Sequence, residues 1–77
     1  MTMTMKEEKR KALYTLGYVL RSTEAGKNID YIEVTEEGCG LAAIIHFVPG
    51  SGKHNKSVGI DGCGVLQAII NVCEALM

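Results

Sequence analysis

A glycine-rich segment before the last predicted helix is the first candidate for chemistry in this 77-residue chain. It reads Gly59-Ile60-Asp61-Gly62-Cys63-Gly64. Glycines between a strand and a helix can bind phosphate, because free backbone N–H groups and the helix dipole both favour an anion. The GxxGxG spacing, however, matches neither the dinucleotide-binding fingerprint nor the P-loop. Asp61 is placed to cap the helix and to occupy the position of an anion, so we interpret the segment as a structural turn.

A second candidate is a basic loop that contains Lys53, His54 and Lys56. Its Gly-Lys pair resembles the end of a P-loop, which also requires a glycine five residues earlier and Ser or Thr after the lysine. This chain has Phe47 and His54 at those two positions. We therefore expect a hairpin loop that binds at most a single phosphate or an acidic partner. The candidate ligand-binding residues of the two segments are Lys53, His54, Lys56, Gly62, Cys63 and Gly64.

The three cysteines, Cys39, Cys63 and Cys73, indicate neither a catalytic centre nor a metal site. A helix dipole would favour the thiolate of Cys63, but no base lies near it in the sequence. Structural zinc sites use closely spaced ligand pairs, and this chain has none. We expect no catalytic residue, no metal and no cofactor, and hence no enzyme. An odd number of cysteines without a CxxC pair indicates a reduced, cytoplasmic protein rather than a disulfide framework.

The elements that would position these residues follow the order α-β-β-β-α. A capping box, Thr4-x-x-Glu7, predicts the start of the first helix, and Gly26 predicts its end between Ser22 and Ala25. Alternating apolar residues predict strands at Ile29–Thr35, Leu41–Val48 and about His54–Ile60. Apolar residues at helical spacing predict the last helix between Val65 and Met77.

The predicted fold is a small α+β domain. Short connections predict a three-stranded antiparallel meander with both helices on one face of the sheet. We expect residues 1–77 to form a single domain, with residues 1–4 flexible. Hydrophobic residues make up 47% of the chain and the formal net charge is −1, which excludes a disordered chain and disfavours a membrane-surface or nucleic-acid binder. The longest apolar run, Leu41–Val48, is too short to cross a membrane.

The second strand is apolar on both of its faces, because its side chains alternate with a period of two. If both helices cover one face, the other is open to water, and the first strand adds either Ile29 and Tyr31 or Ile32 and Val34 to it. An exposed apolar patch on a small domain usually marks an interface. The alternative is a three-layer arrangement in which one helix covers the second face. The candidate interface residues are Tyr31, Ala42, Ile44, His46 and Val48.

The element order is shared with double-stranded-RNA-binding domains, but the residues decide against that family. Those domains contact RNA through lysines at the start of the last helix, where this chain has residues 62–67 without a basic side chain. The loop between the first two strands carries Glu36 and Glu37, which would repel phosphate. The basic residues instead lie in the first helix, among Glu7 and Glu8. We assign no family and do not expect nucleic acid as a partner.

Function is predicted from size and from the open sheet face. A chain this short buries about 60% of its unfolded surface, so association is a natural source of further stability. We expect a homodimer, formed through the sheet face or edge, that acts as a non-enzymatic protein-interaction module. Small, nearly neutral chains of this kind are often regulators or inhibitors, including those encoded by phages and other mobile elements. The alternative is a protein that binds a nucleotide or another small anion with the six candidate ligand residues.

Overall fold

The computed structural model describes residues 5–38 and 40–77, and it confirms the predicted fold class. The elements are α1 (Met5–Leu20), β1 (Ile29–Glu37), β2 (Gly40–Phe47), β3 (Lys56–Gly59) and α2 (Val65–Ala75). The strands form one antiparallel sheet in the order β1-β2-β3. The expectations for residues 1–4, including the Thr4 cap, and for Cys39 lie outside the described residues.

Both helices pack on the same face of the sheet. Leu13 of α1 and Ala68 and Val72 of α2 are fully buried in one core with the inward-facing residues of the strands. The remaining core residues are Ile29, Ile32, Val34, Ala43, Ile45, Phe47 and Ile60. Two layers therefore bury the apolar residues of the chain, and the three-layer alternative does not describe this fold.

α1 lies directly over β1 and runs antiparallel to it. A Cβ added to Gly17 would lie 3.1 Å from Cγ1 of Ile32, so a larger residue would push helix and strand apart. Lys6, at the start of α1, bonds Glu36 near the end of β1, whereas Arg21 follows α1 and bonds the Ile29 carbonyl at the start of β1. The helix is thereby held against the strand at both ends.

The predicted cap of α2 is wrong. Gly64 is the N-cap residue and makes no side-chain cap bond. Asp61 instead accepts a hydrogen bond from the backbone N–H of Leu41 at 3.3 Å, because the turn brings it beside the first residues of β2. The Asp61 carboxylate therefore joins the last loop to the sheet and does not cap the helix.

Several element boundaries also differ from the prediction. β1 extends to Glu37, through residues predicted as a loop, and β2 spans Gly40–Phe47 rather than Leu41–Val48. α1 ends at Leu20, before the predicted range, because Thr23 Oγ1 donates to the Leu20 carbonyl at 2.7 Å and forms a turn there. β3 begins at Lys56 and not at His54, since the Asn55 amide bonds His46 and Phe47 of β2 with its side chain. Neither described helix has the length and hydropathy needed to cross a lipid bilayer.

Candidate interaction surface

The sheet face opposite the helices, here called the open face, carries a mixture of apolar and polar side chains. Register places Tyr31 opposite His46, and Glu33 and Ser57 on either side of Ile44. The open face consists of Tyr31, Glu33, Thr35, Ala42, Ile44, His46 and Ser57. It is less apolar than β2 alone indicates, because both neighbouring strands contribute polar side chains.

The candidate interface residues differ widely in exposure. Tyr31 and Val48 are 39% and 40% exposed, Ile44 and His46 are half-buried, and Ala42 is only 6% exposed. The sequence left two alternatives for β1, with either Ile29 and Tyr31 or Ile32 and Val34 on the open face. The structure adopts neither in full. A register shift between Ile29 and Tyr31 turns Tyr31 to the open face but keeps Ile29 in the core with Ile32 and Val34.

His46 belongs to a hydrogen-bonded network on the open face. Its Nε2 lies 3.0 Å from Oε1 of Glu33, its Nδ1 lies 3.1 Å from Nδ2 of Asn55, and the Tyr31 ring stacks on it at 4.3 Å. Asn55 Oδ1 already accepts from the Phe47 N–H, so its amide nitrogen donates to Nδ1 and the imidazole proton lies on Nε2. Both ring nitrogens are occupied. The network fixes the histidine and leaves it no nitrogen with which to activate a nucleophile.

The two edges of the sheet are unequal. β3 has only four residues, and α2 contacts it: Lys56 Nζ donates to the Ala75 carbonyl at 2.8 Å and Asn71 Nδ2 to the Gly59 carbonyl at 3.5 Å. β1 has nine residues and, among the described strands, pairs only with β2. A long strand that is paired on one side presents backbone donors and acceptors to any other extended chain. β1 is therefore the edge at which this sheet could be extended.

All three tyrosines and both arginines of the chain gather beside β1. They line two neighbouring depressions between α1 and β1, one of which has a volume of about 360 Å³. Tyr14 and Tyr18 are 61% and 69% exposed, and the Arg21 guanidinium lies 5.5 Å from the Tyr18 ring centre. We call Arg10, Tyr14, Tyr18, Arg21 and Tyr31 the tyrosine–arginine surface. Tyrosine and arginine are the residue types that dominate binding energy at protein interfaces.

Three acidic side chains of β1 have polar partners within the fold. Asp30 pairs with Arg21, Glu33 with His46, and Glu36 with Lys6. Arg10 is exposed and forms no hydrogen bond or direct ion pair with a described residue, although its charge acts on the carboxylate of Glu36. The guanidinium of Arg10 can therefore still form a direct ion pair with another molecule.

The Lys6–Glu36 pair should make stability depend on acid pH. The hydrogen bond and the charge of Lys6 lower the pKa of Glu36 from its ordinary value of 4.5. Because the folded-state pKa is the lower one, the stabilisation is present above that ordinary value and is lost as pH falls through the lowered one. In urea titrations across this range, wild type should lose more unfolding free energy than Glu36→Gln, and salt should shrink the difference. Identical pH profiles would contradict the pairing.

The two predicted ligand-binding segments do not form one site. Gly62, Cys63 and Gly64 follow Asp61 at the start of β2, whereas the basic loop lies beside Phe47 at its end. At about 3.3 Å per residue, these ends of the strand are roughly 23 Å apart. The Cys63 thiol donates to the Ile60 carbonyl at 2.9 Å. A nucleotide-sized ligand therefore cannot use both segments in one copy of the chain.

The basic loop does line a cavity of its own. Its volume is about 380 Å³, and Lys53 and Lys56 are among its lining residues. Both ammonium groups contact other parts of the chain. Lys53 Nζ lies 5.4 Å from the Phe47 ring centre and Lys56 Nζ bonds the Ala75 carbonyl. The lining residues are Ala25, Phe47, Lys53, His54, Asn55, Lys56 and Leu76. An apolar floor with a basic rim suits a small amphipathic anion.

The basic residues of α1 do not act as a cluster. Lys9 is 3% exposed and its Nζ donates to the Ile60 carbonyl at 3.1 Å, while Lys6 is paired with Glu36. Only Arg10 and Lys11 project freely from this set. Within residues 5–38 and 40–77, no group of three or more His, Cys, Asp or Glu residues could hold a metal ion.

Four members of the tyrosine–arginine surface were missed as site residues at the level of sequence. The available signal was the spacing of Tyr14 and Tyr18, four residues apart on α1 beside the apolar stripe. Nothing local connects them with Tyr31, because that contact depends on α1 lying over β1.

Comparisons of the chain with protein-family models, with curated proteins and with solved structures gave no match.

Proposed function

We propose that this protein is a non-enzymatic interaction module, a small regulator or inhibitor that forms a homodimer and binds a further protein. The carrying observation is the gathering of all three tyrosines and both arginines beside the unpaired edge of β1. Aromatic rings and guanidinium groups offer large contact area at a small cost in conformational entropy, which is why they recur as interface anchors.

The homodimer is proposed to form through the open face. Ile44 lies at its centre, and Tyr31 is its most exposed apolar member. Two sheets can pack face to face at about 10 Å, and such packing would supply buried area that a chain of this length lacks. The Glu33–His46–Asn55 network is compatible with this role, since its hydrogen bonds would offset part of the cost of removing these polar groups from water.

An NMR dilution series from millimolar to low micromolar protein tests the homodimer and locates it. The backbone amides of Ile44 and His46 should change chemical shift with concentration. Leu66 and Ile70 serve as internal controls, because they are exposed on α2, on the other side of the sheet. Shifts confined to α2, or none at any concentration, would contradict dimerisation through the open face.

A cytoplasmic location belongs to the same proposal. Cys63 and Cys73 are free thiols in the structure, which suits a reducing compartment.

A second candidate function is favoured by the cavity at the basic loop. Its apolar floor of Phe47 and Leu76 and its rim of Lys53 and His54 would suit a nucleotide base or an aromatic acid with its negative group at the rim. A ligand at 100 times its dissociation constant adds about 2.7 kcal/mol of stability. A thermal-shift screen of nucleotides and aromatic carboxylates should find such a ligand, with the shift lost in Lys53→Glu. If neither nucleotides nor aromatic carboxylates raise the Tm, the ligand-binding function is contradicted and the interaction module stands alone.

A further inference from the structure

The edge of β1 has no room for the same edge of a second copy. Gly17 brings α1 directly onto Ile32, so the helix lies above the strand that would be paired. Neighbouring strands lie about 4.8 Å apart, whereas packed helices need 8–10 Å between their axes. Pairing β1 with β1 of another copy would therefore force the two α1 helices into each other. An extended segment without a helix above it meets no such obstacle.

The spacing of three α1 side chains matches that of an added strand. Arg10, Tyr14 and Tyr18 follow one another at intervals of four residues, which is about 6 Å along a helix. Side chains on one face of a strand repeat every two residues, or about 6.6 Å. Because α1 runs antiparallel to β1, a strand added at this edge would place successive same-face side chains beside Arg10, Tyr14 and Tyr18 in turn.

Charge determines what the first of those side chains should be. Asp30 and Glu36 of β1 form ion pairs with Arg21 and Lys6, whereas Arg10 acts on Glu36 through its charge alone and forms no direct ion pair with a described residue. A carboxylate brought to Arg10 would gain a bidentate ion pair without displacing an existing one. Apolar or aromatic side chains would pack on the exposed rings of Tyr14 and Tyr18.

We propose that the β1 edge binds an extended segment of a partner protein as a fourth strand, and that this segment carries the pattern acidic–x–apolar–x–apolar in one of its two chain directions. The acidic residue pairs with Arg10, and the two apolar residues contact Tyr14 and Tyr18. The inference rests on the proposed function in requiring a protein partner, but it does not require the homodimer.

Selection from a random peptide library displayed on phage tests the pattern. On immobilised wild-type protein, peptides with the proposed pattern should be enriched, and on Arg10→Glu the acidic position should change to Lys or Arg. Lys53→Glu is the matched control: it makes the same change in net charge outside the tyrosine–arginine surface and should select the wild-type pattern. Synthetic versions of the enriched peptides should bind Tyr14→Ala and Tyr18→Ala at least about tenfold more weakly.

Several outcomes would overturn the proposal. The first is that no peptide pattern is enriched, and the second is that Arg10→Glu leaves the enriched pattern unchanged. The third is that Tyr14→Ala and Tyr18→Ala, with a native fold by circular dichroism, bind the peptides as tightly as wild type. Absence of concentration-dependent shifts in the dilution series, with peptide selection intact, would contradict the homodimer alone. An intact dimer that selects no peptide would contradict the edge proposal alone.

Discussion

Replacing Ile45 by alanine is expected to lower the free energy of unfolding by about 2–5 kcal/mol, because it removes a fully buried side chain and leaves a cavity. Ile45 lies on the central strand, opposite Ile32 on one side and Lys56 on the other. A domain of this length has about 4–12 kcal/mol of stability in total. The substitution should therefore remove a large share of it and lower Tm by 10 °C or more, on the order of 4–8 °C per kcal/mol.

Urea unfolding at low micromolar protein measures this loss. Ile70→Ala makes the same chemical change on the outer side of α2, where the side chain is 39% exposed, and should cost less than about 1 kcal/mol. If the two variants lose equal stability, the core does not lie between β2 and the helices.

Replacing the neighbouring Ile44 by lysine should leave the fold intact and abolish self-association. Ile44 lies on the open face, where a lysine of the monomer can extend its ammonium to water. In a face-to-face dimer the same ammonium would be buried, and the carboxylate of Glu33 opposite it would lose its water as well. That cost is several kcal/mol, so the dimer dissociation constant should rise at least about 100-fold.

Sedimentation equilibrium of the Ile44→Lys protein gives the dissociation constant. Leu66→Lys is the control, because it places the same side chain at a 71% exposed position on α2 and should dissociate like wild type. Equal dissociation constants for wild type and Ile44→Lys would show that the open face is not the interface.

The fold could be predicted because the signals that specify it are local. Alternating β-branched residues indicated three strands, and Gly and Pro residues separated them closely enough to force an antiparallel meander. The boundaries were less accurate where side chains bond backbone groups, whether nearby or far along the chain. Thr23 ends α1 early, and Asp61 bonds the start of β2 and does not cap α2.

The tyrosine–arginine surface could not be predicted from local patterns, since it joins residues of α1 and β1 that are separated along the chain. Tyr14 and Tyr31 meet only because Gly17 lets the helix lie on Ile32. The alternation of polar and apolar residues in β1 left two choices for the residues that face outward. The register shift after Ile29 decides that Tyr31 is one of them. For the same reason, the two ligand-binding segments are similar in character along the sequence but lie at opposite ends of β2.

The most direct test of a homodimeric interaction module is the solution mass of the unmodified chain, measured by light scattering across a range of concentrations. We predict a mass that approaches twice the 8.3 kDa of one chain as concentration rises. A mass of 8.3 kDa at every concentration up to millimolar would contradict the homodimer.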